Sequence, residues 1–144
     1  MALTFADLPL RKETIAALAE HGFTSPFPIQ EQVMPIALAD GDVIGQAKTG
    51  TGKTLAFGIP VIERVIAPND ADWKDLANQG DPQVLIVVPT RELCVQVTKD
   101  LEEITQSRKI RVLAVYGGRA FEPQIEALQK GVEIIVGTPG RLLD

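Results

Sequence analysis

Asp42-Val43-Ile44-Gly45-Gln46-Ala47-Lys48-Thr49-Gly50-Thr51-Gly52-Lys53-Thr54 is the stretch on which the fold turns. A short apolar run, Asp42 to Gly45, leads into a glycine-rich turn, and a helix-like segment from Leu55 to Ile62 follows. Strand, glycine turn and helix form the setting that a phosphate-binding P-loop requires. Gly50 and Gly52 let the backbone curl so that consecutive N–H groups point at phosphate oxygens. Lys53 has the reach for β/γ-phosphates, the Thr54 hydroxyl can ligate Mg²⁺, and the helix N-terminus adds partial positive charge. Ala47 stands where the general pattern has glycine, so the match to that pattern is not strict. The plainer alternative is a Gly/Thr-rich surface loop.

Outward from this stretch, continuous apolar runs alternate with amphipathic ones. Val84–Val88, Val112–Tyr116 and Glu133–Gly137 read as strands, unbroken in apolarity as parallel strands covered on both faces are. Helical spacing separates them over about 53–67, 92–106 and 120–130. This alternation predicts an α/β three-layer P-loop NTPase sandwich, its sheet mainly parallel with right-handed crossovers and Asp42–Gly45 as its first strand. Upstream, apolar residues from Phe5 to Ala19 fall at mainly helical spacing, interrupted by Pro9 and ended by His21-Gly22. Ser25-Pro26-Phe27-Pro28-Ile29-Gln30 is a proline-punctuated turn leading into a helix through about Ala39. Residues 68–82, polar and acidic with the single tryptophan Trp73, read as a long surface loop or short helix.

Composition bounds the function. A chain of 144 residues supports one domain with a core. Its net charge of −5 argues against indiscriminate nucleic-acid affinity, so any polyanion must be held by a few well-placed groups. The lone Cys94 excludes an intramolecular disulfide and suits a reducing compartment, as a buried structural thiol more than a nucleophile. No leader peptide opens the sequence and no apolar run approaches membrane-spanning length, so no membrane partner and a cytoplasmic location are expected.

In open parallel sheets, ligands sit beyond the carboxyl ends of the strands. The P-loop follows the first expected strand, and Pro89-Thr90-Arg91-Glu92-Leu93 the second. Gly117-Gly118-Arg119 follows the third and Thr138-Pro139-Gly140-Arg141 the fourth. Arginine offers bidentate donors, threonine a hydroxyl, and glycine close backbone approach, so these loops suit a phosphate-tracking surface. Turn chemistry with solvated arginines is the alternative.

Together these motifs resemble the first RecA-like domain of the DEAD-box RNA helicases, along essentially the whole chain from Phe5 to Asp144. Gly22 to Gln30 is similar to that family's Q motif, with Phe5 in the place of its upstream aromatic, so the Q region spans about residues 5–30. Ala47-Lys48-Thr49-Gly50-Thr51-Gly52-Lys53-Thr54 is similar to its motif I, where alanine in first position is normal. Pro89–Leu93 resembles motif Ia, Gly117-Gly118 the GG element, and Thr138–Arg141 motif Ib. The resemblance implies ATP and Mg²⁺ as cofactors, held by Phe23, Gln30 and residues 47–54. It implies RNA, single-stranded or structured, held by Pro89, Thr90, Arg91, Gly118, Arg119, Thr138, Gly140 and Arg141. A glutamine amide can donate to and accept from adenine at once, whereas guanine presents an acceptor where adenine has a donor. Gln30 is therefore the expected source of ATP selectivity, and Phe23 a pocket wall, while Phe5 reads as core.

The family's Asp-Glu-Ala-Asp motif does not occur in these 144 residues. The expectation is a RecA-like domain incomplete at its C-terminus, part of a larger ATP-dependent RNA helicase that remodels RNA duplexes or RNA–protein complexes, with the fragment alone inactive. Two further readings remain open. A small P-loop phosphotransferase would need neither the Q-like segment nor the Thr-Pro-Gly-Arg loop. A non-catalytic interaction module would keep the fold and use its exposed face for protein contacts.

Overall fold

The apolar runs on either side of residue 65 settle into two different architectures. The computed structural model describes residues 3–48 and 52–144, and the chain divides into two compact units, Met1–Arg64 and Val65–Asp144.

The first unit is helical among its described residues. Pro9 confines the opening segment to a short 3-10 turn at Phe5–Asp7, and helix α1 then runs over Lys12–Glu20. His21 caps its end, with Nδ1 2.9 Å from the Ala17 carbonyl, and Gly22 follows at φ 80°. Pro28 opens helix α2, Pro28–Leu38, at the position where its missing N–H costs nothing. Helix α3, Lys53–Arg64, packs on α2, where Ile29, Val33 and Ala56 form a core cluster that Ala37 and Ala47 complete. Ala47 thus has a packing role in addition to its place before the glycine turn. Phe5 is buried, as expected of a core residue. Its N–H donates to the Thr24 carbonyl at 3.0 Å.

Asp42–Gly45, expected as the first strand, forms no ladder among the described residues, and Ile44 is fully exposed. Val43 and Ile44 carry strand propensity, but a strand exists only through paired backbone groups, and its unit otherwise offers helices.

The second unit holds the sheet. Strands β1 (Val84–Val87), β2 (Val112–Val115) and β3 (Ile134–Gly137) pair in parallel in the order β1-β3-β2. Val84 and Val112 both lie opposite Ile134, and Val87 and Val115 both lie opposite Gly137. Helix α4 (Arg91–Thr105) carries the chain from β1 to β2, and α5 (Phe121–Lys130) returns it from β2 to β3. The two crossovers run in opposite directions across the sheet. A five-residue helix α6, Pro139–Leu143, follows β3. Ile134 and Val136 are fully buried with Val97, Leu101 and Ile104 of α4 among the core residues.

Coverage is less even than unbroken apolarity predicts. Leu85 and Val87 of β1 are exposed, because the helices of this unit pack mainly over β2 and β3. Residues 68–82 contain a 3-10 turn at Ala71–Asp75, and Asp70 and Gln83 hold it to the unit. Asp70 Oδ2 accepts from the Ala67 N–H at 2.8 Å and from Arg108 Nη2 at 2.7 Å. Gln83 pairs with both backbone groups of Ile66 at 2.9 Å.

Candidate functional site

In the first unit a buried carboxamide, that of Gln30, joins the proline turn to the residue before α3. Gln30 sits in the first turn of α2, only 1% exposed. Its Oε1 accepts from the Phe27 N–H at 2.9 Å, closing the start of α2. Its Nε2 donates to the Gly52 carbonyl at 3.0 Å, tying the proline turn to the residue before α3. Gly52 has φ 80°, and a Cβ there would overlap Gln30 Nε2 and the Phe27 ring, so only glycine fits. Lys53 and Thr54 then open α3, with Lys53 exposed and Thr54 half-buried. They begin a helix of twelve residues, so unsatisfied N–H groups and the positive dipole end lie where an anion would bind. Lys48 is exposed, and Phe23 half-buried with its N–H on the Leu18 carbonyl at 2.8 Å. Thr49, Gly50 and Thr51 lie outside the described residues.

In the second unit the three arginine-bearing loops do fall on one edge. The ladder continues past the strand ends: the Val88 N–H donates to the Gly137 carbonyl and the Thr138 N–H to the Val115 carbonyl, both at 3.0 Å. Pro89, Thr90 and Arg91 leave β1 exposed, and Thr90 caps α4 by accepting the Leu93 N–H at 3.1 Å. Gly118, at φ 82°, brings the next loop onto this one, since a Cβ there would overlap Arg91 Nη1. Arg119 is exposed, its guanidinium 5.5 Å from the Tyr116 ring centre. Thr138 precedes α6 half-buried, and Gly140 is exposed within it.

Arg141 behaves differently from its companions. Its side chain is 13% exposed, with the guanidinium 5.2 Å from the Phe121 ring centre. Nη1 and Nη2 both donate to the Arg119 carbonyl at 3.3 Å, and Nη1 also reaches Gln124 Oε1 at 3.3 Å. Nε lies 3.5 Å from Asp144. Gln124, 9% exposed, donates from Nε2 to the Tyr116 carbonyl at 3.2 Å. Sequence reasoning passed over Gln124, which appears there as one polar residue on an amphipathic helix. Only the fold shows that it faces the loop before its own helix.

Two other polar groups frame this unit without belonging to the edge. Glu133, fully buried just before β3, accepts from the Arg111 N–H at 2.8 Å and from its Nε at 3.2 Å. The bonded carboxylate pushes the Arg111 guanidinium up from its ordinary value, against the opposing pull of burial. Cys94 is buried, its thiol pushed up by desolvation while Sγ donates to the Val136 carbonyl at 3.2 Å. That environment suits a structural thiol and not a nucleophile. Among the described residues, no helix is long and apolar enough to cross a membrane, and no group of three or more His, Cys, Asp or Glu converges as a metal cage.

Comparison with known proteins runs along the same lines as the geometry. Residues 27–144 match the DEAD/DEAH box helicase family. The DEAD-box ATP-dependent RNA helicase CshA of Geobacillus kaustophilus is 47% identical over 141 residues, which is 98% of this chain and 28% of that protein. Its namesake in Bacillus subtilis is 45% identical over 146 residues, covering 100% of this chain and 27% of that protein. The chain thus spans just over a quarter of the length of these relatives. The crystal structure of a DEAD box protein from Methanococcus jannaschii superimposes with a TM-score of 0.85 at 38% identity, over 100% of this chain and 37% of that one. A hypothetical ATP-dependent RNA helicase from Sulfolobus tokodaii gives 0.78 at 34% identity, over 94% of this chain and 36% of that one. The sheet is accordingly part of a RecA-like domain, and the chain belongs to the DEAD/DEAH box helicase family.

Proposed function

We propose that the chain is the ATP-binding and RNA-contacting part of a cytoplasmic ATP-dependent RNA helicase, one that remodels RNA duplexes or RNA–protein complexes. Residues 1–144 form part of its first RecA-like domain. The observation that carries this reading is the convergence of the loops after β1, β2 and β3, with the Arg91 guanidinium against Gly118 and Arg141 on the carbonyl of Arg119. The names of the relatives, ATP-dependent RNA helicases, agree with it.

The residues present fit a nucleotide. Gly52, held where no Cβ is tolerated, leads into exposed Lys53 and the Thr54 hydroxyl at a helix N-terminus. Ala47 to Gly52 would wrap the phosphates, Lys53 would pair with their charge, and the Thr54 hydroxyl would help to hold Mg²⁺. Bound Mg²⁺ and phosphates supply the phosphoryl chemistry, and this chain's residues bind and orient them. For adenine to use Gln30, the carboxamide must exchange its bonds to Phe27 and Gly52, which links base recognition to the loop that leads into Lys53. On the RNA side, Pro89, Thr90, Arg91, Gly118, Arg119, Thr138 and Gly140 would follow the sugar–phosphate backbone without reading bases. With few cations and a net charge of −5, this binding is weak and falls with added salt.

Titration calorimetry on this chain tests the nucleotide half. ATP should bind in preference to GTP, and Lys53→Ala should lose about 1.5–3 kcal/mol, the worth of a hydrogen bond to a charged group. Equal ATP affinity in both proteins overturns the assignment. Arg119→Glu tests the other half, and RNA affinity that survives charge reversal puts the RNA elsewhere. Neither protein should release phosphate from ATP in steady state, because the acidic motif that positions water is not among these 144 residues.

A further inference from the structure

We propose that Arg141 and Gln124 are positioning residues for the RNA edge: together they brace the loop Gly117–Arg119, and Arg141 does not itself bind phosphate. The proposal rests on the RNA reading above and goes beyond it by dividing the arginines into two kinds. Arg91 and Arg119 are exposed, whereas the Arg141 side chain is 13% exposed and its donors point inward. Three of its contacts fall on one structure: the Arg119 carbonyl takes Nη1 and Nη2, and Gln124 Oε1 takes Nη1. Asp144 occupies Nε, and the Phe121 ring covers one face of the guanidinium.

Gln124 completes the brace from the other side. Its oxygen accepts from Arg141 and its nitrogen donates to the carbonyl of Tyr116, the residue at which the loop leaves β2. The loop is therefore gripped at both ends, at the carbonyls of residues 116 and 119, with Gly117 and Gly118 between them. Glycines give such a loop many conformations, so without the grip the exposed Arg119 side chain and the Gly118 N–H have no fixed position. A fork is needed at 141, because one group must meet a carbonyl and a carboxamide while its guanidinium lies over a ring. Lysine keeps the charge but offers neither the plane nor the two parallel donors.

Fluorescence anisotropy of this chain with a fluorescein-labelled oligouridylate, titrated at several KCl concentrations, separates a brace from a phosphate ligand. Arg141→Lys and Gln124→Met should each weaken binding about tenfold, the size of one lost hydrogen bond to a charged group. The double variant should be no weaker than the worse single one, since both break the same unit. Amide hydrogen exchange at residues 117–120 should accelerate in both variants, with melting temperatures near wild type. Arg141→Lys at wild-type affinity, or unchanged exchange in Gln124→Met, overturns the proposal. The parent reading fails separately: if neither wild type nor Arg119→Ala responds to the oligouridylate, the RNA assignment falls, and the exchange data alone decide the brace.

Discussion

The two units position their ligand-facing groups by different means. In the first, one buried side chain does it: Gln30 spans from the Phe27 N–H to the Gly52 carbonyl, and the residue before Lys53 is where that carboxamide holds it. In the second, the backbone ladder does it, since three strand ends in register deliver three loops to one edge before any side chain is consulted. Side chains there act on loops the ladder has already delivered, as Arg141 and Gln124 do in bracing residues 117–119. A site hung on a side chain is vulnerable to one substitution. A site hung on a ladder should lose ligand contacts one at a time and keep its frame.

The strongest challenge to this contrast lies at the far end of the strands. Arg111 and Glu133 pair immediately before β2 and β3 begin, and Glu133 is fully buried. Arg111→Met strands that carboxylate with only the Arg111 N–H as partner. It should cost about 3 kcal/mol, toward the low end for breaking a buried pair because the arginine is partly solvated. Urea unfolding measures it. At temperatures where the variant is still folded, affinity for RNA should match wild type, because the loops leave the opposite ends of the ladder. A loss of RNA affinity in the folded variant would show that the ladder alone does not fix the edge.

The next largest effect falls in the first unit. Gly52→Ala forces a Cβ onto Gln30 and Phe27 at φ 80°. Overpacking with an unfavourable backbone conformation should destabilise by about 2 kcal/mol. Nucleotide affinity should fall more steeply than stability, because the displaced carboxamide no longer holds the turn into Lys53. Calorimetry and thermal unfolding on the same sample check both. Normal ATP binding in a destabilised Gly52→Ala protein would mean that the Gln30 bridge is packing only.

The contrast also explains what the sequence disclosed. Three of the four expected strands and the helices at 28–39, 53–67, 92–106 and 120–130 stand close to their expected bounds, because apolar runs of β-branched residues and helical spacing record burial directly. The strand-end loops were legible for the same reason, since locating a parallel strand also locates the loop at its carboxyl end. Asp42–Gly45 was not, because its apolar residues say nothing about whether a partner edge is at hand. Nor was the exposed face of β1, since continuous apolarity does not reveal which strand the helices leave uncovered. The partners of Gln30 and Gln124 were invisible for a further reason. A glutamine's role depends on which backbone groups the fold leaves unpaired beside it, and those are 22 and 8 residues away in the chain.

The smallest effect probes a residue where frame and proposed ligand contact would coincide. Thr90 caps α4 through the Leu93 N–H, and it is exposed on the edge proposed for RNA. Thr90→Ala removes the cap and should cost about 1 kcal/mol of stability. Thr90→Ser keeps a hydroxyl in the same place and should leave stability within a few tenths of wild type. If the hydroxyl also meets a phosphate, Ser should retain RNA affinity and Ala should lose a few-fold, with nucleotide affinity unchanged in both. Equal RNA affinity in all three proteins, measured by anisotropy at low salt where phosphate contacts count most, would assign Thr90 wholly to the frame. The ladder's loops would then present their arginines and backbone N–H groups to RNA, with the threonine serving only to start the helix behind them.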